Sequence, residues 1–112
     1  MSKTNYVRLI GHLGQDPKLI DMQSGTKIAS FSFATNERYT DSNGNKQENS
    51  QWHNIVAFGS VAQLCAGYLK KGSYCMLEGK LQTRQYQDKE GNNRYTTEVV
   101  VNDVLFLDKK PD

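Results

Sequence analysis

Apolar and polar residues alternate with period two over most of this chain, and the alternation breaks into five long runs. From Asn5 to Leu13, the side chains of Val7, Leu9 and Leu13 share a face, with Gly11 permitting a bend or the close approach of another backbone. Gly14 to Pro17 reads as a turn, and a short extended piece, Lys18 to Met22, leads into a hairpin turn at Gln23–Thr26. Between Thr26 and Asn36, Ala29, Phe31, Phe33 and Thr35 oppose Ile28, Ser30, Ser32 and Ala34, and the small residues of the second face suit a surface approached closely by a flat ligand or a backbone. A third run, Gln51 to Phe58, puts Trp52, Asn54, Val56 and Phe58 opposite His53, Ile55 and Ala57. Neither of its faces is purely polar, so both are expected to meet something.

The last two runs are Ser73–Gln87 and Arg94–Leu107, joined by a hairpin turn at Asp88–Asn93 in which Gly91 and the asparagines supply positive φ. Cys75, Leu77, Gly79 and Leu81 form the inner face of the fourth strand, Gln82, Arg84 and Tyr86 lie on the other parity, and the fifth strand is expected to bend near Asn102–Asp103. The period changes to that of a helix only once, from Ser60 to Leu69, where Val61, Leu64, Cys65, Tyr68 and Leu69 make one apolar stripe. Ser60 and Gln63 have capping-box spacing, and Lys70-Lys71-Gly72 places cations and a glycine at the far end. Glu37 to Ser50 holds almost nothing apolar except Tyr39 and reads as a long polar loop, with Arg38 and Lys46 beside the ring favouring a functional role.

Three strands, a helix and two strands, with glycines at the bends, describe an all-β architecture: a five-stranded Greek-key OB-fold barrel with one helix between strands 3 and 4. An SH3-like barrel leaves the helix unexplained, and a split β-α-β sheet needs a second one. Residues 1–107 form the domain, and 108–112 a short C-terminal end.

Composition narrows this little. With 112 residues, 37% hydrophobic and 23% charged, and a mean hydropathy of −0.71, the chain fits one small globular domain. No run approaches a membrane span, and no leader is visible, so a cytoplasmic, nucleoid-associated protein is expected. Cys65 and Cys75 permit a disulfide or half of a metal site, but His12 and His53 have no ligand spacing to them. Buried free thiols, no metal and no cofactor are expected. No nucleophile-elbow, zinc-protease or phosphate-loop motif occurs, and His53 has no sequence-local carboxylate or nucleophile, so the chain does not read as an enzyme. The net charge of +2 permits a polyanion without requiring one.

The distribution says more than the sum. Aromatic residues gather near the expected binding face at Tyr39, Trp52, Phe58 and Tyr86, interleaved with Arg38, Arg84, Lys89 and Arg94. Sequence-tolerant binding of single-stranded nucleic acid needs this mixture, because every base offers a π-face to a ring while cations follow the phosphates.

The motifs Ile10-Gly11-His12-Leu13-Gly14-Gln15-Asp16-Pro17, Phe33-Ala34-Thr35, Gln51-Trp52-His53, Tyr68-Leu69-Lys70-Lys71-Gly72 and Arg94-Tyr95-Thr96-Thr97-Glu98, in that order, closely resemble the bacterial single-stranded DNA-binding protein family. The resemblance implies a homotetramer that wraps single-stranded DNA in replication, recombination and repair. It implies stacking by Trp52 and Phe58, and by Tyr39 and Tyr86 where many members carry tryptophan. It also implies a subunit-interface role for His53 and phosphate contacts from Lys3, Arg38, Lys71, Arg84, Lys89 and Arg94. Asn54, Ser60 and Gln82 are neutral where relatives often carry a cation, which implies a shallower salt dependence. Members commonly continue into an acidic tip that recruits other genome-maintenance proteins; the chain stops at Asp112, so such recruitment is not expected. The alternative within the same fold is a tail-less primosome-type protein acting as a dimer.

Overall fold

The computed structural model describes residues 4–108. In chain order the elements are β1 (Val7–Leu13), β2 (Lys18–Asp21), β3 (Lys27–Thr40), β4 (Lys46–Phe58), α1 (Gly59–Tyr68), β5 (Tyr74–Gln87) and β6 (Asn93–Phe106). The strands bond in the order β1-β5-β6-β4-β3-β2, and β1 returns to β3 through His12–Ala34 and Leu13–Phe33. Five strands therefore close on themselves, with the short β2 appended to β3. Ile55–Val99 and Val56–Val100 make β4 and β6 a parallel pair; the other pairings are antiparallel. This is the expected OB-fold barrel, with α1 between its third and fourth strands.

The barrel is filled from the inward parities of its strands. Phe33, Ile55 and Leu77 are fully buried, joined by Leu13, Phe31, Val99 and Val101, and α1 adds Ala62 and Cys65, with its C-cap Leu69, against them. Each large aliphatic or aromatic side chain removed from water here contributes about 1.5–3 kcal/mol. Two glycines let strands cross at closer range than any side chain permits. A β-carbon at Gly11 would collide with the Ala34 carbonyl, and one at Gly79 with the Val100 carbonyl. At Gly79 the β5–β6 register slips, from Glu78–Asp103 to Gly79–Val101, so Asn102 is the extra residue of a bulge. That is the bend expected near Asn102–Asp103.

Several local expectations change. Glu37–Ser50 is no loop: β3 and β4 pair without interruption from Ile28–Phe58 to Thr40–Lys46, and only Asp41–Asn45 turns. The pattern hid this because the ribbon projects beyond the barrel and neither face is covered, so it lacks the alternation that burial imposes. Leu81 is 51% exposed rather than inward, because the β1–β5 ladder ends at Val7–Gly79; beyond it the Asn5 side chain bonds only the Leu81 backbone.

The helix starts at Gly59 with Phe58 as its N-cap, and no side chain caps it; Ser60 lies inside the first turn, so the capping box does not form. Lys70 and Lys71 follow the last turn rather than ending it, and the Gly72 amide donates to the Leu13 carbonyl (2.8 Å), tying this turn to β1. In the expected stripe Leu64 is exposed, and Tyr68, 74% exposed, tilts against Phe106. In the Asp88–Asn93 turn only Gly91 has positive φ, not the asparagines. The Cα radius of gyration, 16.1 Å, exceeds the ~13 Å of a compact chain of this length, as two projecting hairpins require.

Candidate nucleic-acid interface

The register of β3 and β4 builds one wall of a groove on the outside of the barrel. Trp52 lies opposite Ala34, Asn54 opposite Ser32, Val56 opposite Ser30 and Phe58 opposite Ile28. The Trp52 indole thus stands beside the small Ala34, and Phe58 beside Ile28. At about 3.3–3.4 Å per residue, Trp52 and Phe58 are about 20 Å apart along the strand. Trp52 is 63% exposed. Its indole lies across Gly14, where a β-carbon would collide with the ring, and the Gly14 amide is fixed to the Ser32 carbonyl at 2.9 Å.

The other wall comes from β5 and β6. Gln82 pairs with Glu98, Arg84 with Thr96 and Tyr86 with Arg94, all on the parity facing the groove. Two adjacent cavities of about 250 and 300 Å³ lie between the walls, and Ser30, Val56, Arg84 and Glu98 line both. Arg84 donates from Nε to Glu98 Oε1 at 3.0 Å, leaving its two terminal nitrogens outside that bond. Arg94 donates from Nε to Asp88 Oδ2 at 3.0 Å, and Lys89 is exposed at the tip of the same hairpin.

Trp52, Phe58, Tyr86, Arg84 and Arg94 are therefore brought together. Tyr39 is not. It pairs with Gln47 on the odd parity, so it stands on the face of its ribbon opposite Trp52, exposed. Arg38 keeps the parity of Trp52 but lines a different cavity, with Ile10, His12, Glu48 and Tyr74. Lys71 sits in the turn after α1, its amide bonded to Asp16 Oδ1 at 2.8 Å, next to the groove-lining Gln15. Lys3 lies outside the described residues. His53 is half-buried with Nε2 2.9 Å from Thr35 Oγ1, a hydroxyl rather than the carboxylate that acid–base work needs.

The sequence reading placed Glu98 only as an isolated strand carboxylate that could pair with a basic neighbour. The pairing with Arg84 is present, but its burial, at 5% exposure, was not foreseen. Nor was an apolar row across the outside of β1, β5 and β6: Ile10 lies beside Met76, and Met76 beside Leu105. Ile10 is 48% and Leu105 52% exposed. The period-two signal was present in both cases, but which parity faces out is fixed only by the barrel's closure. The thiols are inert: Cys65 and Cys75 are free and buried, and burial pushes them up to about 11 and about 12. Among the described residues no group of three or more His, Cys, Asp or Glu could hold a metal, and no helix is long and apolar enough to cross a membrane.

Residues 4–107 match the Single-strand binding protein family. A curated relative from Chlorobaculum tepidum, single-stranded DNA-binding protein 1, is 48% identical over 107 residues, which are 95% of this chain and 66% of the relative. Single-stranded DNA-binding protein 1 of Xylella fastidiosa is 44% identical over 113 residues, 100% of this chain and 83% of its own length. The chain thus spans about two thirds of the first relative and more of the second. Among solved structures, a Plasmodium falciparum SSB complex with ssDNA superposes with a TM-score of 0.86 at 32% identity, covering 96% of this chain and 98% of that one.

Proposed function

From the premise that the chain belongs to the single-strand binding protein family, we propose that it coats single-stranded DNA in the cytoplasm during replication, recombination and repair, without a sequence requirement. The observation that carries the reading is the exposed indole of Trp52 on one groove wall with Phe58, facing the wall that carries Arg84 and Tyr86. Stacking on such rings contributes about 1–3 kcal/mol per base and tolerates any base, while a duplex hides the faces it needs. The family is one of binding proteins, so the groove is a platform and the chain is not an enzyme. Arg84, Arg94, Lys89, Lys71, Arg38 and Lys3 are assigned to phosphates. Asn54 and Gln82 leave the groove with few cations, which calls for a modest salt slope.

Titration with oligo-dT tests this. Trp52 emission, from the only tryptophan of the chain, should be quenched saturably, with affinity falling as salt rises. Unchanged emission and no retained oligonucleotide at low salt would overturn the reading.

Assembly into a homotetramer belongs to the same proposal, with His53 as the interface histidine. What supports it is the row Ile10–Met76–Leu105, an apolar strip on an outer sheet face where a monomer would keep polar residues. Sedimentation equilibrium should give four times the chain mass. A stable dimer would instead favour the primosome-type alternative.

A further inference from the structure

The outer face that carries Trp52 and Phe58 does not end at β3. Ile20 lies opposite Ile28 and Ile28 opposite Phe58, so three apolar side chains form one row out to β2, the edge of the sheet. Ile20 is 42% and Phe58 39% exposed, and the row lines the groove cavity of about 300 Å³. In the neighbouring row Lys18 lies opposite Ser30 and Ser30 opposite Val56, which puts Lys18 on the same face. The two lysines of this hairpin differ. Lys27 Nζ is 2.6 Å from Asp21 Oδ1 on the opposite parity, whereas Lys18 has no carboxylate within ion-pair distance among the described residues.

We propose that single-stranded DNA leaves the groove across β2, where Ile20 and Ile28 extend the apolar floor beyond Phe58 and Lys18 holds a phosphate. The inference rests on the single-stranded DNA reading above. Neighbouring strands are about 4.8 Å apart, so Ile20 lies about 10 Å from Phe58, one step further along the path. A nucleotide matches this ledge in both of its parts. Its base and sugar offer apolar faces, and its phosphate meets an ammonium group that need not first give up an ion pair. Inside the groove Arg84 already shares its charge with Glu98, so Lys18 is the next cation the strand reaches at the rim. The row favours a nucleic acid over a polypeptide because it continues the stacking face and runs beside a lysine.

Salt dependence separates the two parts of this contact. Each phosphate neutralised on a single strand contributes about 0.7 to the steepness with which log affinity falls against log salt, whereas an apolar contact contributes nothing to it. An oligo-dT of about ten nucleotides, within the span of one OB-fold, should be titrated at several salt concentrations with Trp52 emission as the signal. Lys18→Gln and Ile20→Ser alter exposed positions. Lys27→Gln removes the same charge from the opposite face and controls for net charge alone.

Lys18→Gln should reduce that steepness by about 0.7, and Lys27→Gln should leave it unchanged. Ile20→Ser should weaken binding about fivefold at every salt concentration, the size expected of a partly covered aliphatic side chain. An unchanged slope with Lys18→Gln, or an equal fall with Lys27→Gln, would overturn the path across β2 and leave single-stranded DNA binding standing. Unchanged affinity with Ile20→Ser would likewise overturn the ledge. No binding by the unaltered protein at any salt concentration would overturn both readings.

Discussion

The two projecting hairpins have nearly the same tip and differ in what they carry. In β3–β4, Asp41 Oδ1 accepts the amides of Asn43 and Asn45, both at 2.9 Å, and Gly44 turns at φ 81°. In β5–β6, Asp88 Oδ1 accepts the amides of Glu90 at 2.9 Å and Asn92 at 3.0 Å, and Gly91 turns at φ 82°. Both are the same aspartate-anchored turn, with the aspartate and the residue four positions on closing the ladder. The β5–β6 hairpin leaves the barrel through a bulge at Gly79, however, and sets Tyr86 on the groove side. The β3–β4 hairpin leaves without a break in register and sets Tyr39 on the far side. The turn decides that a hairpin forms; register relative to the barrel decides which face its aromatic residue serves.

The largest effect is expected where the second hairpin departs. Gly79→Ala forces a methyl against the Val100 carbonyl, and overpacking of this kind should lower stability by about 3 kcal/mol, read as a fall in the urea midpoint. An unchanged midpoint would mean that the bulge gives way easily and does not aim the ribbon.

Next comes stacking. Tyr86→Ala should weaken oligo-dT binding by about 1–3 kcal/mol, with folding checked by circular dichroism. Tyr39→Ala should cost under about 0.5 kcal/mol, as for a surface residue. Equal losses at both positions would erase the distinction drawn from register.

The smallest effect concerns the tips in acid. The amides of Asn45 and Asn43 and the side chain of Gln47 hold the Asp41 carboxyl below its usual range, the Asn45 amide foremost; for Asp88 the Arg94 guanidinium comes first, then the Asn92 and Glu90 amides. Both carboxyls have folded values below their unfolded ones. Their contribution is therefore complete above about pH 4, the ordinary aspartate range, and is lost as pH falls through the folded values. Amide shifts followed by NMR should report this at both tips. Arg94→Gln should raise the midpoint at Asp88 and leave Asp41 unmoved; a shift at neither tip would assign the depression at Asp88 to its amides alone.

The same contrast explains what could be read from residues alone. The β5–β6 hairpin was legible because its turn carries Gly91 among polar residues and both of its strands run back to apolar stretches, Cys75–Leu81 and Val99–Val101. The outer half of β3–β4 was not, because Asn36 faces Ser50, joined by a 2.6 Å bond from Ser50 Oγ, and Arg38 faces Glu48: a ribbon wet on both faces needs no apolar period. Trp52, Phe58 and Arg84 were identifiable as a set because strand parity is local. The place of Tyr39, the burial of Glu98 and the row from Ile10 to Leu105 depend on how strands distant in sequence close the barrel. Ser60 misled because its spacing to Gln63 satisfies the capping rule while Phe58 takes the cap position.

Gly14 has a consequence for the energetics of the encounter. With the indole of Trp52 already resting across it, the ring has few orientations to give up when a base arrives. Ordering a free side chain at an interface costs about 0.5–1.5 kcal/mol, and here much of that loss is incurred during folding. The absence of a side chain at position 14 thus acts on affinity through preorganisation. A β-carbon there would lift the indole and return that entropic cost to each binding event.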